Sequence, residues 1–407
     1  MNEYFQYTFH NGLRLIHLPS KSKVAYCGFL VNVGSRDEYD SEQGMAHFVE
    51  HMIFKGTSKR RSYHILNRME TVGAELNAST SKEETFVYSV FLKEDFSRAC
   101  ELLCDLVCNS TFPDNELDKE RDVIFDEINS YKDNPPELIF DDFENLIFKG
   151  NQLGHNILGE ENILEKFDSS ITLDFHNRWY QPENMIFFSM GDFDSKVIIK
   201  NLEKYYNPSN IKQVSHKRDI PGLVTPINIR QDRNTFQGHI MIGNKAFSMN
   251  DYNRTALALL NNILGGPGMN SRLNIALREK RGYVYNVESN FTAYTDTGIF
   301  TIYFGTDKDN IDKCLNIVNK EIALFRDKQL SSTQLHAAKR QMIGQLGIAS
   351  ENKENMIMSS AKILLHKNRF ESIEETIKRL ENVTASEIMD VANTILNPND
   401  LSTLIYY

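Results

Sequence analysis

The feature that most constrains the fold of this chain is a group of metal-binding residue types within residues 44–57. His47, Glu50 and His51 form the pattern H-x-x-E-H there. Dense apolar residues around them predict a helix, and Gly56 is a natural place for that helix to stop. Since positions i, i+3 and i+4 share one face of a helix, the two imidazoles and the carboxylate project into the same small volume.

This grouping favours a zinc site. Two histidines one helical turn apart can both bind zinc, and the Glu between them can lie beside a metal-bound water. The order is that of the zincin motif H-E-x-x-H reversed. The alternative is a pair of core histidines hydrogen-bonded to a neighbouring Glu. Because catalytic zinc takes three protein ligands and leaves one position open, the fold must supply a third ligand from elsewhere in the chain.

Residues 114–132 offer that ligand on a second predicted helix, which opens with Pro-Asp. Glu120 and Glu127 flank Val123 and Ile124 on the stripe that we expect to be buried. A buried carboxylate is costly unless it is paired or bound to a metal. The two glutamates are separated by roughly 10 Å along the helix axis, so one ligand and one outer acid is the sensible division. The alternative is two glutamates at the rim that reach water.

The rest of the chain alternates between predicted strands and helices. Runs of alternating or apolar residues predict strands, and the stretches between them carry turn residues or helical spacing. The predicted strands are 5–18, 24–34, 75–80 and 85–91, and the further predicted helices are 60–72 and 94–108.

Composition excludes several classes of protein. The net charge of −10 and the lack of a long basic run argue against nucleic-acid binding. No apolar run approaches the about 18 residues that a membrane-spanning helix needs. The five cysteines are few for a chain of this length and are odd in number, which argues against a disulfide framework. With no secretory signal visible at the N-terminus, we expect a cytoplasmic protein.

The two halves of the sequence repeat one another loosely. The strand at 86–91 and the cysteine-bearing helix after it correspond to a strand at 300–304 and a helix carrying Cys314, at an offset of about 214 residues. The second half has no H-x-x-E-H. We therefore predict a metal-bearing domain over 1–206, a polar linker over 207–225 and a similar domain over 226–407.

The metal motif and its surroundings resemble the M16 metallopeptidases, the family of pitrilysin and the mitochondrial processing peptidase. Residues 44–57 are very similar to the zinc segment of that family, and the likeness extends over nearly the whole chain. The third ligand in the family is a Glu about 75 residues after the second His, which selects Glu127 here. Glu120 matches a second Glu that lies near the metal in the family.

Two further motifs of the family can be located. Residues 73–78 resemble the edge strand that binds substrate, in which Asn77 and Ala78 would hold a peptide added as a further strand. Asn77 could instead only shape a turn. In the second half, Arg278 and Tyr285 match the Arg/Tyr pair that would hold a substrate carbonyl and stabilise the oxyanion. Arg281 and Tyr283 are close competitors, and Arg278 could also be a solvated helix charge.

The fold we expect is α+β, with two homologous domains that each pack helices on a mainly antiparallel sheet. In the resembling family four such domains form a clamshell chamber. Since this chain has two, the resemblance implies a homodimer, in which Arg278 and Tyr285 of one chain approach the zinc of the other.

The resemblance implies a zinc endopeptidase that hydrolyses unfolded or presequence-like peptides. His47, His51 and Glu127 would hold Zn²⁺, whose water would attack the peptide with Glu50 as general base and with Glu120 and the Arg/Tyr pair assisting. The family also contains non-catalytic structural or partner subunits, and a zinc enzyme acting on a non-peptide amide is a further alternative.

Overall fold

The computed structural model describes residues 4–209, 211–222 and 225–407. Asn210, Leu223 and Val224, which fall in the predicted linker, and residues 1–3 lie outside the described residues. The chain forms two compact units. The first unit comprises residues up to 128, 155–218 and 350–371, and the second unit comprises 129–154, 219–349 and 372–407. The predicted domains, 1–206 and 226–407, were defined by the repeat in the sequence. The two compact units do not test that repeat, so the domain bounds stay a prediction.

The first unit contains a six-stranded sheet in the order β1-β2-β6-β3-β5-β4. All neighbours are antiparallel except β2 and β6, which are parallel. One face is covered by α12 (Lys353–Lys367), whose apolar side chains pack on β2, β3 and β6. Helix α3 (Phe96–Asn109) packs against β3 and β5. The strands are β1 (Phe5–Thr8), β2 (Arg14–Pro19), β3 (Val24–Val31), β4 (Glu75–Thr80), β5 (Thr85–Leu92) and β6 (Met185–Gly191).

The second unit contains a five-stranded sheet in the order β7-β11-β8-β10-β9. It is antiparallel except for β7 and β11. Its apolar core joins this sheet to three helices, α9 (Arg254–Gly265), α10 (Ile311–Asp327) and α14 (Ala385–Ile395). The strands are β7 (Asn228–Gln231), β8 (Gly238–Ala246), β9 (Val284–Ala293), β10 (Gly298–Thr306) and β11 (Ser402–Tyr406). The α+β class and the mainly antiparallel sheets are therefore confirmed.

The described α-helices follow in chain order. They are α1 (Met45–Met52), α2 (Ser62–Glu70), α3 (Phe96–Asn109), α4 (Asp114–Lys132), α5 (Pro135–Ile147), α6 (Glu161–Leu164), α7 (Ser169–Trp179), α8 (Ser195–Tyr205), α9 (Arg254–Gly265), α10 (Ile311–Asp327), α11 (Ser332–Ala349), α12 (Lys353–Lys367), α13 (Ile373–Asn382) and α14 (Ala385–Ile395). Residues Asn274–Glu279 form a short π-helix. No helix among the described residues is both long and apolar enough to cross a membrane.

Two local predictions were wrong. The predicted strand 5–18 is a hairpin, because residues 11 and 12 form a turn in which Gly12 takes a φ of +92° and the Asn11 side chain accepts a hydrogen bond from the Leu13 N–H. The expectation that Val123 would be buried beside Ile124 was also wrong. Ile124 is fully buried, whereas Val123 is 48% exposed, because the buried stripe of α4 continues instead to Ile128.

Candidate metal centre

Helix α1 begins where only glycine fits. Gly44 has a φ of +93°, and a Cβ there would lie 2.8 Å from the Cα of Gly159. The helix then buries Met45, Phe48 and its other apolar residues and ends at Met52, four residues before the predicted stop at Gly56. This burial fixes the direction of the face that carries the motif residues.

Two imidazole nitrogens and one carboxylate oxygen converge beside this helix. The Nε2 atoms of His47 and His51 each lie 3.7 Å from Oε2 of Glu127 on α4. These three residues are the one group of potential metal ligands of its kind among the described residues. Zinc bonds of about 2.0–2.1 Å in tetrahedral geometry separate neighbouring ligand atoms by roughly 3.3 Å. Both distances to Glu127 are close to this value, and the three ligand atoms lie within 4.8 Å of one another, so these side chains could hold a zinc ion.

Glu120 contacts the cluster from outside. Its Oε2 lies 3.3 Å from Nδ1 of His51, and its Oε1 lies 2.5 Å from Nζ of Lys55. An Nδ1–H that donates to a carboxylate leaves the Nε2 lone pair available to a metal. The two acids of α4 therefore take different positions. Glu127 faces both Nε2 atoms, and Glu120 contacts Nδ1 on the other side of the His51 ring.

The environment keeps His47 in the state that binds metals. Burial, and secondarily the neighbouring imidazole of His51, lowers the pKa of His47 from 6.5 to about 3. The ring is therefore neutral over the physiological range, with a lone pair on one nitrogen.

Glu50 lies on the same helix, and its carboxyl is largely shielded from water. Burial raises the pKa of its carboxyl, although a hydrogen bond with Thr80 on β4 opposes this effect. Its Oε2 is buried without a hydrogen-bond partner among the described residues. A buried acceptor without a hydrogen-bond partner costs free energy. A water or a substrate group that donates to Oε2 of Glu50 would remove this cost, which favours a binding site at this position.

A residue that sequence reasoning missed completes the start of α1. Glu38 is fully buried, and its two carboxyl oxygens accept hydrogen bonds from the backbone N–H groups of Gly44 and Ala46, at 2.9 and 2.8 Å. Burial raises the pKa of Glu38 well above 4.5, while these two donors oppose the rise. Because Gly44 has no side chain to cap its own helix, Glu38 takes that role from outside. The sequence signal was a glycine at the N-cap with an acid shortly before it.

The predicted substrate strand is a free edge. β4 is the last strand in its sheet, so one side of its backbone is unpaired within that sheet. Asn77 is opposite Tyr88, and the Tyr88 hydroxyl donates to Glu354 of α12 at 2.8 Å. Since side chains alternate along a strand, Asn77 lies on the α12 face and Thr80, the partner of Glu50, lies on the other.

Arg278 and Tyr285 belong to the second unit, so the cluster in the first unit contains neither. Arg278 is exposed on the π-helix, and Tyr285 is 86% exposed at the start of the edge strand β9. Their competitors are engaged elsewhere. Arg281 donates to the carbonyl of Ala276 at 2.6 Å, and Tyr283 packs against the core of the second unit.

Known proteins match this chain along its length. Residues 15–161 match the family model described as insulinase (peptidase family M16), and residues 171–342 match the peptidase M16 inactive domain. The uncharacterized zinc protease YmxG of Bacillus subtilis is 30% identical over 98% of this chain and 97% of its own length. The chain belongs to peptidase family M16. An uncharacterized zinc protease of Rickettsia bellii is 31% identical to it, over 97% of this M16 chain and 95% of the relative.

Solved structures share the M16 fold. A protease from Helicobacter pylori superimposes with a TM-score of 0.92 at 20% identity, covering 100% of both chains. The peptidase M16 inactive domain from Pseudomonas fluorescens gives 0.91 at 19% identity, over 99% of this chain and 97% of that one. The His/His/Glu cluster of this M16 chain falls within the match at 15–161, and Arg278 and Tyr285 fall within the match at 171–342.

Proposed function

We propose that the chain is a zinc-dependent endopeptidase that hydrolyses unfolded peptides. The observation that supports this most directly is the convergence of the Nε2 atoms of His47 and His51 with Oε2 of Glu127. These three residues would hold the ion. Zinc supplies a Lewis acid that polarises the scissile carbonyl and makes water more acidic.

Glu50 is the proposed proton carrier. Its Oε2 takes a proton from the attacking water and later delivers it to the nitrogen of the leaving amine. The raised pKa of this carboxyl favours the first transfer, because it makes the carboxylate a stronger base towards the water proton than a carboxylate in free water. Glu120 keeps Nε2 of His51 directed at the cluster by accepting from Nδ1.

The edge strand β4 is the proposed substrate platform. An extended peptide can add to its unpaired side by main-chain hydrogen bonds, which hold the peptide independently of its side chains. The main-chain groups of Asn77 and Ala78 would supply the contacts nearest the scissile bond. Such binding requires an extended chain, which is why unfolded peptides are the substrate class we propose.

The zinc and peptidase parts of the proposal are tested together. We expect the purified chain to contain one zinc per polypeptide and to cleave an unstructured peptide pool, as followed by mass spectrometry. A chelator should abolish cleavage, and added Zn²⁺ should restore it. A chain that binds zinc and cleaves nothing in the pool would instead support a non-catalytic partner subunit, and a chain that binds no zinc would refute the proposal.

We propose further that the active species is a homodimer, in which Arg278 and Tyr285 of one chain serve the metal of the other. Mixing two inactive variants, Glu50→Gln and Tyr285→Phe, should then restore activity, because each mixed dimer contains one intact site. Random exchange of subunits predicts about a quarter of the wild-type rate. Peptide hydrolysis after mixing and re-equilibration measures this.

The control for this complementation is a mixture of Glu50→Gln with a Glu50→Gln/Tyr285→Phe double variant, which can form no intact site and should stay inactive. If the first mixture also stays inactive while subunits exchange, the Arg/Tyr pair does not act between chains.

A further inference from the structure

A buried ionic network lies next to the residue that caps the metal helix. The carboxylate of Asp37 accepts two hydrogen bonds from the guanidinium of Arg218, from Nε at 2.8 Å and from Nη2 at 2.7 Å. His216 contacts the same carboxylate through Nδ1 at 2.9 Å. The side chain of Asp37 is 1% exposed and that of Arg218 is 11% exposed. A two-pronged, desolvated pair of this kind is among the stronger polar contacts in proteins.

Asp37 precedes Glu38 directly in the chain, and Glu38 caps α1 through the N–H groups of Gly44 and Ala46. The placement of the Asp37 backbone therefore sets where the Glu38 carboxyl lies. In turn, that carboxyl fixes the first turn of the helix whose next residue is His47. A continuous series of bonded groups thus joins Arg218 to a proposed zinc ligand.

Arg218 and His216 come from the stretch that the sequence assigns to the linker. Residues 212–218 of this stretch contact the first unit at defined positions. The N–H of Lys212 donates to the side chain of Gln181 at 2.9 Å, and the N–H of Val214 donates to Glu183 at 2.8 Å. The ring of His216 also packs against Trp179 in a tilted arrangement, with ring centroids 4.8 Å apart. Arg218 is the last residue of the 155–218 segment of the first unit, and the next residue belongs to the second unit.

We propose that Arg218, assisted by His216, is a positioning residue for the zinc-binding helix. It holds Asp37 so that Glu38 can cap α1 and keep His47 in place for the metal. This role rests on the proposed zinc site. Backbone hydrogen bonds from Ser35 and Arg36 to residues 81 and 82 also hold the loop, so the effect of losing Arg218 is a weakening and not a collapse.

The test compares arginine variants in the full chain. Arg218→Met removes the guanidinium and leaves Asp37 buried without this partner. Arg218→Lys keeps the positive charge but cannot donate to both carboxylate oxygens in the geometry of a guanidinium. Arg14→Met is the matched control, because Arg14 is another partly buried arginine of the first unit, and it donates to the carbonyls of Leu364 and Leu365. The readouts are the zinc dissociation constant, by chelator competition, and amide hydrogen exchange of residues 44–52 in the metal-free protein.

We expect Arg218→Met to raise the zinc dissociation constant by up to about tenfold, the lower limit for groups bonded directly to a metal ligand, because Arg218 acts on His47 only through Asp37 and Glu38. Amide exchange at the start of α1 should be faster in Arg218→Met than in the wild type, and Arg218→Lys should give intermediate values in both readouts. Arg14→Met should match the wild type in both readouts even if its melting temperature falls as much as that of Arg218→Met. Unchanged zinc affinity and exchange in Arg218→Met would overturn the proposal. Equal changes in Arg14→Met would also do so, since they would mark general destabilisation.

His216→Ala is the second variant if Arg218→Met does not fold. It removes one donor to Asp37 and should shift both readouts in the same direction by a smaller amount, and no shift would overturn the proposal. A wild-type chain that binds no zinc would refute the proposed function. The exchange comparison in metal-free protein would still decide whether Arg218 positions α1.

Discussion

Replacing Glu50 by Gln is expected to lower kcat/KM for peptide hydrolysis by at least about a thousandfold while the zinc content stays at that of the wild type. The amide has the shape of the carboxyl but cannot accept the proton of the attacking water, and general-base catalysis contributes about 10²–10⁴ in rate. Zinc content is kept because the cluster of His47, His51 and Glu127 does not include Glu50.

The stability of this variant is a second measure. Burial raises the pKa of Glu50, which means that the folded protein disfavours the ionised carboxylate. At neutral pH, removing that charge should leave the melting temperature of the metal-free protein unchanged or higher. Glu70→Gln, an exposed position on α2, is the control and should keep wild-type turnover. Turnover near the wild-type rate in Glu50→Gln would show that another group carries the proton.

The two glutamates of α4 should differ sharply when each is changed to Gln. We expect Glu127→Gln to raise the zinc dissociation constant by about a thousandfold or more, which corresponds to about 4 kcal/mol of binding free energy. The substitution replaces the one anionic ligand of the proposed set by a neutral amide, which binds zinc weakly. Glu120→Gln should raise it by about 10- to 100-fold, because the amide oxygen can still accept from Nδ1 of His51.

Competition with a chelator of known affinity measures both constants under identical conditions. The pair is internally controlled, since both variants make the same chemical change on one helix. Similar losses of affinity would mean that the two acids share the metal, and a larger loss in Glu120→Gln would mean that the proposed ligand was the wrong one.

The local parts of the fold could be predicted because they depend on short-range periodicity. The apolar spacing within residues 44–57 predicted a helix, and that helix puts His47, Glu50 and His51 on one face whatever surrounds it. The strands at 75–80 and 85–91 and the helix at 114–132 were predicted for the same reason, and the structure confirms them.

Sequence periodicity could not decide features that depend on contacts distant in sequence. The helical period alone could not say which acid of α4 faces the imidazoles, and the exposure of Val123 depends on what packs on each side of α4. Glu38 and Arg218 carried no periodic signal either. Their carboxyl and guanidinium groups acquire roles only when the loop and the linker come together on the first unit.

By itself, the sequence determined the motif helix, the class of metal chemistry it can support and the family, because each of these is written in residue types at fixed short spacings. The resemblance to the M16 family selected Glu127, and only the tertiary structure shows how its Oε2 lies beside both Nε2 atoms, how α1 is capped and how residues 212–218 are held. The physical reason is that these depend on distances between groups up to about 180 residues apart, such as Asp37 and Arg218, which no local pattern encodes.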